Sequence, residues 1–161
     1  MSEPRAGSSA WSVAALVLRV VLGGVFIFAA SIKLGDPQGV SEGIQAFRVP
    51  GMPDHLIILG SYVLPWTELF AGVALVLGLW TRASALAIAA MLALFIAMVY
   101  SIIAREIHAE CGCFGKFRLL CEAKKMGWCK VVENSTMLAM ALSLVAFGGG
   151  RFGLDRVLGN R

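Results

Sequence analysis

Residues Ala83–Ile103 read ASALAIAAMLALFIAMVYSII, 21 positions without one charged side chain. A helix rises about 1.5 Å per residue, so this run reaches ~30 Å, the thickness of a bilayer's hydrocarbon core. A buried helix of a soluble domain does not need that length. The run is predicted to cross a membrane, and the rest of the chain is read outward from it.

Two further runs resemble it. Trp11–Ile32 carries one charge, Arg19, and gives way to Lys33 ahead of Asp36-Pro37. Leu56–Leu79 is interrupted by Pro65 and Glu68. A fourth run, Val131–Phe147, is 17 residues long and opens with Glu133, Asn134, Ser135 and Thr136. It can span only if that first turn sits at the headgroups or faces protein. Residues 33–55 form a longer connection with three prolines, in which Gly39–Phe47 can make a short interfacial helix. Thr81-Arg82 makes a tight turn, so the second and third spans form an antiparallel hairpin. The prediction is an all-α, four-transmembrane-helix bundle, one integral membrane domain over 1–161. Its spans are 11–32, 56–79, 83–103 and 131–147, a Cys-rich loop at 104–130 lies between helices three and four, and a polar tail follows at 148–161.

Composition agrees. Hydrophobic residues make up 58% of the 161-residue chain, and charged residues only 15%, against about 25% in soluble domains. Mean hydropathy is +0.80. The net charge of +4 is spread over loop edges, where it suits anionic lipid rather than nucleic acid. No cleavable leader pattern is visible, so the first span is expected to direct insertion. Four spans place both termini on one side. Five basic residues flank that side and eight the other, which by the positive-inside rule favours a cytoplasmic cysteine loop. Thiol chemistry favours the opposite assignment, a loop on the extracytoplasmic side of a bacterial cytoplasmic membrane. The extracytoplasmic side is the expectation carried forward.

All four cysteines, Cys111, Cys113, Cys121 and Cys129, fall within 19 residues of the third loop. An even, clustered number suggests pairs. Cys111 and Cys113 flank Gly112, whose backbone freedom suits a very small ring. Such a ring is strained and easily reduced, as catalytic disulfides are. Cys121 and Cys129 enclose seven residues and suit an ordinary disulfide. Lys116 and the neighbouring basic residues can stabilise a thiolate, and His108 can move protons. Redox exchange is the favoured reading. Three alternatives compete: a zinc site, although the spacing lacks the usual Cys-x2-Cys clip; a soft-metal carrier; and static staples of an exported loop. No metal is expected.

Several motifs carry a resemblance. Leu18-Arg19-Val20-Val21-Leu22-Gly23-Gly24-Val25-Phe26, Lys33-Leu34-Gly35-Asp36-Pro37, Leu64-Pro65-Trp66-Thr67-Glu68-Leu69 and Cys111-Gly112-Cys113-Phe114-Gly115 occur in order, with Trp128 and Asn134 at the entry to the last span. In this the chain resembles the MauE branch of the DoxX-like membrane proteins. The resemblance implies a four-helix membrane partner of a thioredoxin-fold protein, one that serves maturation of disulfide-rich exported proteins, with a link to quinones. The architecture is similar to DsbB and the vitamin K epoxide reductases. Those proteins use Cys-x-x-Cys and two cysteine pairs; here the first pair is Cys-x-Cys, and both pairs share one loop. The function expected is a membrane thiol–disulfide oxidoreductase, with Cys111, Cys113, Cys121 and Cys129 as its redox groups. The rivals are a non-enzymatic assembly factor or complex subunit, and the metal carrier.

Two ionisable groups fall inside spans. Counted from Trp11 and from Leu79, Arg19 and Glu68 lie at similar depth in antiparallel helices. Intramembrane charges normally pair, so Arg19 is predicted to meet Glu68. That pair is either a helix-to-helix tie or, with Trp66 beside the Pro65 kink, the seat of a quinone head group.

Overall fold

The structure, a computed structural model, describes residues 9–48, 51–105, 128–150 and 153. Among them are five helices: α1 (Ser9–Gly35), α2 (Pro37–Ala46), α3 (Asp54–Leu77), α4 (Thr81–Ala104) and α5 (Trp128–Phe147). All but α2 are long and apolar enough to cross a membrane. The described residues therefore form an all-helical structure with four candidate spans, and the short helix anticipated after Pro37 is α2. Residues 106–127, which carry most of the cysteine loop, lie outside the described residues.

Packing pairs α1 with α3 and α4 with α5; α2 lies against α3, and α3 also touches α4. The core is built from Leu22, Phe26, Leu75, Ile88, Leu92 and Leu144, all buried. Large apolar side chains such as Val17, Phe70, Leu94 and Phe147 stand exposed around it. In a water-soluble protein so much exposed apolar surface would drive association. On spanning helices it is the lipid-facing surface.

Each helix end has a local cause. Asp36 caps α2 by accepting the Gly39 amide at 2.9 Å, and Pro37 supplies a first-turn residue that has no amide to satisfy. Gly78 ends α3 in the left-handed region at φ 72°. The amides of Gly78 and Leu79 turn back onto Leu75 and Ala74. The hairpin turn is thus 78–80, and Thr81 already begins α4. Arg105 closes the other end of α4 by donating to the carbonyls of Phe47 and Arg48. Phe47 itself is buried, edge-on to Phe95. In α5, Glu133 and Asn134 are buried. Of the four polar residues that open this run, Glu133 and Asn134 face protein, whereas Ser135 and Thr136 stand exposed.

α1 and α3 approach most closely at Gly23 and Gly72. A Cβ on Gly23 would lie 2.8 Å from the Gly72 carbonyl oxygen, and one on Gly72 3.0 Å from the Gly23 oxygen. Small residues let spanning helices meet backbone to backbone. Gly23→Ala should therefore force the helices apart and cost about 1–3 kcal/mol. Gly24→Ala adds a methyl that meets nothing within 4 Å and serves as the control. Thermal unfolding in detergent reads both, and equal melting temperatures for the two variants would refute the close approach.

Candidate functional site

The Gly23–Gly72 contact sets the register of α1 against α3 and decides which charges meet. Leu77, the last residue of α3, lies level with position 18 of α1. The first nine residues of α1 therefore project beyond α3 by about 13 Å. Arg19 is level with the end of α3 rather than with Glu68. Its Nε donates to the Leu75 carbonyl at 2.9 Å, and its two terminal nitrogens donate to Val76 at 3.1 Å and Gly149 at 3.2 Å. Helix C-termini leave four carbonyls without intrahelical partners and carry partial negative charge. Arg19, 1% exposed, answers both needs. A Cβ on Gly78 would collide with the Arg19 guanidinium, which fixes glycine there a second time.

The predicted Arg19–Glu68 pair is thus replaced by two other interactions. From the glycine contact, Arg19 and Glu68 diverge in opposite directions, ending about 12 Å apart along the axis. Side chains also tilt toward the N-terminus of their own helix. In antiparallel helices that tilt carries Arg19 and Glu68 further apart, and it brings Lys33 and Glu68 together. Lys33 Nζ meets Glu68 Oε1 at 2.6 Å, with the two side chains 12% and 9% exposed. The sequence carries the signal in Lys33 closing the first span, a position that on its own reads as a loop charge. A second pair, Lys130 Nζ to Glu133 Oε2 at 2.8 Å, joins neighbouring turns near the start of α5. Asn134 donates to the Lys130 carbonyl.

Lys33, Glu68, Lys130 and Asn134 all line one cavity of about 150 Å³. Its walls include Phe26, Leu64, Leu92, Phe95 and Met98, and α2 contributes Val40 and Ile44. The space is an apolar chamber with four polar groups around it, the general form of a small-molecule site. Trp66 is not among its lining residues. It stands half exposed, stacked on Phe70 with centroids 5.8 Å apart. Two helical positions, about 200°, separate it from Glu68, so it belongs to the lipid-facing side.

Cys129 occupies the exposed start of α5 and is disulfide-bonded. The next residue, Lys130, reaches the cavity. Cys111, Cys113, Cys121, His108 and Lys116 lie outside the described residues. Among the described residues no cluster of three or more His, Cys, Asp or Glu could hold a metal ion.

Four helices long and apolar enough to cross a membrane define a multi-pass helical membrane protein. The family model for methylamine utilisation protein MauE matches residues 11–147, so the chain belongs to the MauE family. It is 29% identical over 128 residues to the methylamine utilization protein MauE of Paracoccus denitrificans, an alignment covering 79% of this chain and 66% of that relative. The alignment thus spans just under two thirds of the relative's length. No solved structure matches the chain.

Proposed function

We propose that this chain is a membrane thiol–disulfide oxidoreductase, passing electrons between a thioredoxin-fold partner and a quinone. Its setting is the bacterial cytoplasmic membrane with the cysteine loop outside, and its service is disulfide formation in exported proteins. To this chain we extend the methylamine-utilisation link that its relative's name carries. One observation carries the reading: a disulfide-bonded cysteine directly precedes a lysine that lines an apolar cavity between spanning helices. Sulfur chemistry at the surface and a lipid-accessible chamber thus adjoin.

The cavity's dimensions suit the quinone. An apolar space of about 150 Å³ is enough for one six-membered ring. Phe26 and Phe95 offer aromatic walls, and Lys33, Lys130 and Asn134 carry donors for ring carbonyls. Bound there, a quinone would supply an acceptor for two electrons and two protons. The chain's own part is the exchange. A partner dithiol attacks a loop disulfide, one S–S bond breaks as another forms in the partner, and the loop is left as a dithiol. Its return to the disulfide releases two electrons and two protons toward the cavity. Lys116 and its basic neighbours favour the attacking thiolate, and His108 accepts its proton.

Separate replacement of Cys111 and Cys113 by serine tests this in native membranes. Exchange predicts loss of client oxidation with both variants. One of them should accumulate a mixed disulfide with the partner, visible as a reducible band on non-reducing gels. A loop merely held by disulfides yields no mixed disulfide and undiminished client oxidation in the folded variants, which would dismiss the proposal.

A further inference from the structure

We infer that the Lys33–Glu68 pair is the seat of the ring oxygen in this cavity, and that it recognises that oxygen in both redox states. The inference rests on the quinone reading above and adds the group that reads the ligand. Glu68 is 7% exposed and spends one carboxylate oxygen, Oε1, on Lys33. Its other oxygen, Oε2, is fully buried and meets no hydrogen-bond partner. A buried acceptor in that condition is costly wherever it occurs, and in the hydrocarbon region water is not at hand to relieve it. Glu68 lines the cavity, so an occupant bearing a hydroxyl can satisfy Oε2.

Lys33 supplies the complement. An ammonium has three donors, and one of them is directed at Glu68. A carbonyl oxygen in the chamber can accept from the remainder. A quinone oxygen is an acceptor when oxidised and gains a hydrogen when reduced. An acceptor-only carboxylate beside a donor-only ammonium matches both forms. A site for a plain hydrocarbon needs neither group, and a site for an anion would not place a carboxylate oxygen in its lining. Among the residues lining the cavity, the other charge is Lys130, already engaged with Glu133; the lining residues of α2 and α4 contribute none.

The test is equilibrium binding of a short-tailed ubiquinone analogue and of its quinol to the full chain in nanodiscs. Wild-type protein should bind both, within a few-fold of one another. Glu68→Gln retains an acceptor for Lys33 but is no longer charged. It should bind the quinone nearly as wild type does and the quinol at least tenfold more weakly. Retained quinone binding certifies that the variant is folded. If Glu68→Gln does not accumulate, Glu68→Asp, which withdraws the carboxylate by one methylene, is read the same way. Equal weakening of both ligands, or of neither, overturns the inference and leaves the quinone reading standing. Failure of the wild-type protein to bind either ligand overturns both.

Discussion

Replacing Arg19 by leucine should destabilise the bundle by roughly 3–5 kcal/mol. The magnitude follows from what is orphaned. Arg19 serves carbonyls of Leu75, Val76 and Gly149 at once, and hydrogen bonds from a charged donor contribute about 1.5–3 kcal/mol each before desolvation is subtracted. The Leu75 carbonyl keeps the Gly78 amide, so its loss is partial. The Val76 and Gly149 carbonyls lose the donor that the guanidinium provides. Because Gly149 follows α5, the same change also loosens the chain after α5 from α1 and α3. Arg19→Lys keeps the charge but offers a point donor in place of a planar fork, and should recover less than half of the loss. Denaturant titration of the purified protein in detergent measures all three. A leucine variant within 1 kcal/mol of wild type would mean that the end of α3 is held by something other than Arg19.

Arg19 also shows how far the sequence can be read. The spans are legible because they rest on a one-dimensional quantity, apolar length against bilayer thickness. The turn at Asp36-Pro37 and the inward face of Glu133 and Asn134 follow from cap chemistry and from the shortness of the last run. Register between helices is a two-dimensional quantity. A similar depth for Arg19 and Glu68 requires that the ends of the first two spans be level. They are not, because Gly23 and Gly72 meet and α1 overshoots α3. Two signals exist in principle: a glycine in each helix able to form the close contact, and the N-terminal tilt of side chains that separates Arg19 from Glu68 while joining Glu68 to Lys33. Neither is readable until one knows which faces meet, and that is set by packing of the whole bundle. The cavity is less legible still. Its walls come from five helices, and Val40 and Ile44 of α2 reach it only because Asp36 turns the chain back onto α3. Trp66 resembles a ligand residue by adjacency to Pro65 in sequence; helical rotation puts it on the lipid face.

Lys33→Met should cost about 3–5 kcal/mol, the loss that follows when one member of a buried ion pair is removed and the other stays charged. The cost lies chiefly in Glu68, whose Oε1 would join Oε2 as a buried acceptor without a donor. Glu68→Leu alone should cost less, because Lys33 closes the first span and its long stem can carry the ammonium out toward the interface. The double variant, Lys33→Met with Glu68→Leu, replaces the pair by apolar groups in an apolar chamber. Such exchanges are often neutral or stabilising, so the double variant should regain all but about 1 kcal/mol of wild-type stability. Unfolding midpoints of the four proteins yield the coupling energy directly; strictly additive losses would show that Lys33 and Glu68 do not act as a pair. The cycle then separates structure from chemistry. If the pair serves only to hold α1 against α3, restoring stability should restore the proposed client oxidation. If the pair instead seats the ring oxygen, the double variant folds as well as wild type yet fails to oxidise its client, because the chamber has lost both the donor and the acceptor that meet that oxygen.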